Sequence, residues 1–346
     1  MTSSDLYCLD ESEDEIKDHE LQTHAACELL PRSDPSPWLD GSCTPRGSLN
    51  FQKQNRDSTM TRMSQNHTNS TCIVEELQAI AYTPLFILGL LLNATALWLF
   101  VRRRHTWTDT HVYMLNLIVA DLTLIIFLPF RIVDAFHCLS KTWLCTVLIS
   151  VHYVNMYASI LTTTALSVHR FVMVRFPHRY RRGNKHTAAV VCLFIWVFVI
   201  AVCVGFQSDN YPKNLWTCFE RCKNKPIRKS FLAVLVTSGF LVPLLIVVFC
   251  SSQILLILMR ANDNSREKKS IVGIVTANMI VFIFCYTPIH ASFLVNYLGD
   301  QHESCRPTSM IVYYIVLISE WIATTNCCLD SVSYYFLFKS LSLRGN

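Results

Sequence analysis

A chain of 346 residues with 51% hydrophobic and only 16% charged side chains, and a mean hydropathy of +0.31, is not an ordinary soluble domain and reads as a polytopic membrane protein. Its net charge of +5 does not indicate a nucleic-acid binder, because the basic residues stand in short clusters between apolar runs with no continuous basic face. No enzyme signature such as Gly-x-Ser-x-Gly, His-Glu-x-x-His or a phosphate-binding loop is found in the sequence.

Residues 1–62 are polar, with an acidic opening from Asp10 to Glu15 and prolines at 31, 35, 37 and 45. Such a composition cannot bury enough apolar surface to fold alone and is expected to be disordered. The segment lacks the apolar core of a secretory signal, so insertion is expected to begin with the first membrane helix. Met63 resembles a fresh translation start; residues 1–62 are then either an upstream extension or a translated tail. Residues 63–76 follow as an outer tail with two glycosylation acceptors, Asn66-His67-Thr68 and Asn69-Ser70-Thr71, which favour an extracellular amino terminus.

Seven apolar segments are then expected at about 77–101, 112–137, 144–174, 187–206, 230–259, 270–298 and 309–338. Together they are expected to make a seven-helix domain over 77–338, followed by a short cytoplasmic tail, 339–346. Arg102 to Arg104, Arg175 to Arg182, Arg260 to Lys269, and Lys339 with Arg344 alternate onto one side, which the positive-inside rule makes cytoplasmic. The opposite loop at 207–229 is basic as well. No internal repeat and no paired Gly/Pro breaks appear, which counts against a secondary transporter.

The cysteines fall into two classes. Cys192, Cys203, Cys250, Cys285, Cys327 and Cys328 lie inside apolar runs and read as small hydrophobic residues. Cys72, Cys138, Cys145, Cys218, Cys222 and Cys305 lie near outer ends, where disulfides persist. Cys145 and Arg170 bracket the third segment roughly 37 Å apart at about 1.5 Å per residue, a bilayer's depth.

Polar residues inside a span are costly and tend to face the bundle interior. Asn93, Asp121, Asn155, Ser159, Asn326 and Asp330 are the ones that stand out. Asn155 and Ser159 share a helix face, as do Asn326 and Asp330. Together they can build one hydrated site for a small cation, Na+ at Asp121, or else a plain interhelical network without an ion. No other cofactor is indicated.

Gly89 to Asn93, Asn116 to Asp121, Leu128-Pro129-Phe130, Cys145, Arg170, Trp196, Pro243, Phe284 to Pro288, and Asn326 to Asp330 with Tyr334 occur in the order and spacing of the rhodopsin-like (class A) G-protein-coupled receptors. The chain resembles that family from about 72 to 341. Trp107-Thr108-Asp109, Val112 to Leu117, Val248 to Ser251, and Tyr334-Tyr335-Phe336 resemble its purinergic-related branch, in particular the lysophosphatidylinositol-sensitive cannabinoid-like receptor and the kynurenic-acid orphan receptor.

The resemblance implies an all-α bundle of seven membrane helices with an extracellular amino terminus and a short amphipathic helix after the seventh span. It implies plasma-membrane location and a heterotrimeric G protein as partner, met by Arg170 with His169 and Tyr334 nearby. His169 stands where the family usually places an acid, and Lys268 and Lys269 stand near a second acid position, so both restraints on Arg170 are expected to be absent. The family's proline after Asp330 is Ser331 here, which suggests a milder kink, and Ser251 replaces a tyrosine that commonly partners Tyr334. Disulfides are implied between Cys145 and Cys218, with Cys222 an alternative, and between Cys72 and Cys305; Cys138 is left free or paired with Cys222.

His152 replaces the acid that binds monoamines in the family. Arg131 lies where the family's pocket is lined, so it is expected to receive an anionic group, or else to snorkel or pair with Glu320; since a pair can open to receive an anion, these are not exclusive. Tyr153, Tyr157, Tyr286, His290 and Phe293 are the expected aromatic wall, at least two of them as ordinary core. With the basic outer loop, the ligand implied is an anionic amphiphile such as a lysophospholipid, signalling to Rho- or calcium-linked pathways, or a small aromatic acid. Met156 stands where the kynurenic-acid receptor has an arginine, which favours the lysolipid. Membrane lipids are partners, nucleic acid is not, and the short tail implies weak arrestin coupling.

Overall fold

The computed structural model describes residues 78–102, 107–136, 143–177, 185–208, 229–260, 265–299, 310–331 and 334. The expectations for residues 1–76, including Asn66, Asn69 and Cys72, lie outside them, as do those for Cys138, Cys218, Cys222, Cys305, the amphipathic helix and the tail 339–346. All regular structure among the described residues is helical.

Among the described residues the helices follow in order: α1 Gln78–Arg102, α2 Asp109–Phe136, α3 Trp143–Arg175, α4 Lys185–Ser208, α5 Lys229–Arg260, α6 Arg266–Gly299 and α7 Met310–Thr324. The first six are each long and apolar enough to cross a bilayer. The 15 residues of α7 would cover only about 22 Å. Helix resumes after Thr325 through residues 326–331, and the two pieces together reach about 33 Å, close to a hydrocarbon core.

The break at Thr325 is where structure and sequence-based expectation part. Its N–H is shared between the carbonyls of Trp321 and Ile322, both at 3.1 Å, and its hydroxyl donates to Ile322 O at 2.6 Å. A hydroxyl that bonds its own helix in this way tightens and bends the turn. The irregularity of α7 therefore lies upstream of Asn326 and is made by a threonine. Ser331 also donates its hydroxyl back, to Cys328 O.

Helix α5 contains a π-helical turn, Thr237–Leu241, closed by the Val242 N–H on Thr237 O. Pro243 stands two residues beyond it and supplies no N–H, and a wider turn before a proline keeps neighbouring carbonyls bonded. The turn places Phe240 in the core at 4% exposure. Gly239 lies so close to α3 that a Cβ there would stand 2.9 Å from Tyr157 Cε1.

Helix α3 is central, packed against α2, α4 and α5, while α6 packs against α7. Trp196 on α4 donates its indole N–H to Asn116 Oδ1 at 2.8 Å, and Asn116 donates to Thr162 Oγ1 at 2.8 Å, so one amide ties α2, α3 and α4. Asn93 does the same for α1 and α7 by donating to Cys327 O at 2.7 Å. Trp321 of α7 adds a bond to Ala81 O at 3.1 Å. The outward faces carry large exposed apolar side chains, among them Leu91, Leu193, Phe194, Val197, Leu245 and Phe249, a surface that suits a bilayer and not water.

Candidate functional site

At the outer end, Arg131 on α2 reaches across to α7 and meets Glu320, Nη2 to Oε2, at 2.5 Å. Of the alternatives for Arg131, the structure holds the ion pair. Arg131 is only 8% exposed, and its guanidinium lies 4.8 Å from the ring centroid of Tyr82 on α1. The sequence analysis did not single out Tyr82, although an aromatic face beside an arginine adds cation–π attraction. His152 on α3 is buried within electrostatic reach of both members of the pair, and its Nε2 has no hydrogen-bond partner among the described residues. Its ring packs edge-on against Tyr153, centroids 5.4 Å apart. An ion pair, a polar imidazole and two aromatic faces thus share one side of the outer bundle.

The remaining aromatic residues form a layer beneath. His290 Nδ1 donates to Tyr286 O one turn back, at 2.7 Å, because only a donor can approach a carbonyl so closely. In the neutral ring Nε2 is then the acceptor for Tyr157 Oη, at 3.2 Å. Phe240 from the π turn stacks on His290 at 4.2 Å and 10°. Tyr286 and His290 are 2% and 1% exposed; Tyr286 belongs to one apolar cluster with Met156, Phe240 and Phe282, against which Tyr153, Tyr157 and Phe293 pack half-buried. Phe293 contacts both Tyr153 at 6.3 Å and His290 at 5.6 Å, so the layer is continuous. The missed member is Phe240: nothing in a run of apolar residues marks where a π turn will rotate the helix.

At mid-depth, Asp121 is fully buried and faces Asn155 and Asp330. Neither of its carboxylate oxygens has a hydrogen-bond partner among the described residues, and the same holds for Asn155 Nδ2, Ser159 Oγ and Asn93 Oδ1. Asn326 donates to Asp330 Oδ2 at 3.1 Å. Buried polar groups left in this way ask for water or an ion. Below lies a small cavity lined by Leu117, Thr163, Asn278, Asp330 and Tyr334. Among the described residues no group of three or more His, Cys, Asp and Glu side chains could hold a metal.

At the inner end, Arg170 is partly buried and one of its terminal nitrogens, Nη2, has no hydrogen-bond partner among the described residues. Tyr334 is 2% exposed, packs edge-on against Phe100 at 6.2 Å, and its hydroxyl likewise lacks a partner. An acid does reach the residue neighbouring Arg170: His169 Nε2 lies 3.4 Å from Asp109 Oδ2 on α2. Asp109 was visible in the sequence only as part of a motif, since a contact between residues 60 positions apart has no local signature. Cys145, at the outer end of α3, is disulfide-bonded, as its position led one to expect; its partner lies outside the described residues.

Residues 92–334 match the family described as 7 transmembrane receptor (rhodopsin family). The chain is 35% identical to G-protein coupled receptor 35 of Mus musculus over 263 residues, 73% of this chain and 82% of the relative. It is 31% identical to Lysophosphatidic acid receptor 4 of Homo sapiens over 321 residues, 85% of each. G-protein coupled receptor 55 of Homo sapiens is 29% identical over 300 residues, 82% and 93% of the two chains.

Proposed function

Because the chain belongs to the rhodopsin family of seven-transmembrane receptors, a multi-pass membrane family of receptors and not of enzymes, we propose that it transduces an extracellular anionic amphiphile, a lysophospholipid such as lysophosphatidylinositol, to heterotrimeric G proteins. The observation that carries this is the buried Arg131–Glu320 pair. A guanidinium in a dry, aromatic-lined site is suited to a phosphate or carboxylate, and Glu320 holds that place until a competing anion arrives. One of the similar receptors is named for lysophosphatidic acid, which supports the same ligand class. His152, Tyr153 and Phe293 would flank the headgroup, with Tyr157, Tyr286 and His290 forming the floor. A small aromatic acid is the second reading, favoured by the aromatic layer itself.

The mid-depth site fits a single Na+. Asp121 has both oxygens without a protein donor and Ser159 offers a hydroxyl oxygen, so one buried carboxylate with neutral oxygens would hold the ion, while Asn155, Asn93, Asn326 and Asp330 would bind its water. A bound cation would offset the carboxylate charge and favour the resting packing around it.

Arg170 is the residue assigned to the G protein. Membranes carrying the receptor should stimulate nucleotide exchange on added heterotrimer in response to a lysophospholipid. Arg170→Ala should abolish that response while surface expression persists, and an unchanged response would sink the assignment. Charge movement in liposomes without any G protein would point to a channel or transporter.

A further inference from the structure

We propose that Asp109, at the start of α2, is a positioning residue for Arg170 and acts on it through His169. The inference rests on the reading of Arg170 as the coupling residue. It starts from two buried polar side chains in contact: Asp109 is 6% exposed and His169 7%, and Nε2 lies 3.4 Å from Oδ2.

The imidazole is held by α2 in two places. Besides the carboxylate, the ring of Tyr113, one turn along α2, packs on it with centroids 5.5 Å apart. Asp109 is the acidic residue in the first turn of α2, where the helix dipole and free N–H groups favour a negative charge. The acid is therefore stable where it stands, and His169 donates to it. Towards the bundle centre, α2 and α3 are joined by the neutral Asn116–Thr162 bond.

His169 and Arg170 are consecutive on one helix, so their side chains are set about 100° apart around the axis of α3. Holding the imidazole on α2 thereby fixes the direction of the guanidinium beside it. With Nη2 lacking a partner of its own, Arg170 is aimed by its neighbour's bond. Releasing His169 frees the inner end of α3 to turn and offers Arg170 to the heterotrimer without ligand.

The test is ligand-independent nucleotide exchange on purified heterotrimer, in membranes matched for receptor surface level. Asp109→Asn weakens the acceptor, and His169→Phe keeps the packing on Tyr113 while removing the donor. Each should raise basal exchange several-fold, up to about tenfold, the factor that about 1.4 kcal/mol represents. The exchanged pair, Asp109→His with His169→Asp, should return exchange to the wild-type level, which a purely structural role for either residue would not do. Wild-type basal exchange in both single variants overturns the proposal. So does an exchanged pair that fails to restore the wild-type level, whether exchange stays high or the receptor no longer reaches the surface. Adding Arg170→Ala separates the two layers: if the excess caused by Asp109→Asn survives it, the coupling role of Arg170 has failed, whereas if Arg170→Ala abolishes exchange that Asp109→Asn never raised, only the role of Asp109 falls.

Discussion

Arg131 and Arg170 stand near opposite ends of the bundle in opposite circumstances. Arg131 is matched by Glu320 at 2.5 Å and faced by Tyr82. Arg170 has a buried terminal nitrogen with no partner among the described residues, and its neighbour His169 lies 3.4 Å from Asp109. Removing a charge from water costs several kcal/mol unless a partner compensates it. The outer arginine has been neutralised from within, and under the proposed function a ligand would have to displace a carboxylate to use it. The inner one keeps bonding capacity for something that comes from outside the bundle.

The strongest way to break this contrast is to remove one member of the outer pair. Arg131→Met alone should cost about 3–5 kcal/mol of stability, because Glu320 is left buried and unmatched, whereas Arg131→Met with Glu320→Met should recover most of it. Melting of purified receptor in detergent reads both, and additive losses would show that the pair is not coupled. Next in size, Arg131→Ala should shift the dose-response midpoint of a lysophospholipid to about tenfold to hundredfold higher concentration, since hydrogen bonds to charged groups are worth about 1.5–3 kcal/mol. Equal midpoints would take Arg131 out of the ligand site.

Two smaller tests bear on the frame that holds the two ends apart. Gly239→Ala places a methyl group 2.9 Å from Tyr157 Cε1, and Tyr157 is held by His290. Overpacking of this kind costs about 1–3 kcal/mol, so melting should fall and agonist potency should weaken with it. A variant of wild-type stability would mean that the π turn yields easily. Trp196→Phe removes the indole donor to Asn116 while keeping the packing, and should cost about 1 kcal/mol. If melting is unchanged, the α2–α3–α4 tie does not depend on that bond.

Much of the architecture was legible without coordinates. The expected apolar segments agree with the first six helices to within a few residues, because they depend on composition over about 20 residues. The polar residues Asn93, Asp121, Asn155, Ser159, Asn326 and Asp330 were identifiable singly, since each is an exception in an apolar run. Their grouping around unsatisfied oxygens at Asp121 required the fold. The break at Thr325 went unseen because a threonine bends a helix only when its hydroxyl turns back to a carbonyl. A missing proline drew attention to Ser331 instead.

By itself the sequence indicated where the apolar spans lie and which polar residues would be buried inside them, both consequences of local transfer energies. The tertiary structure alone decided the partners. Arg131 finds Glu320 across 189 positions, Asn116 finds Trp196 across 80, and His169 finds Asp109 across 60. A buried charge takes whichever group the packing of its helices brings within reach, and that packing is a property of the whole bundle and of no single stretch of it.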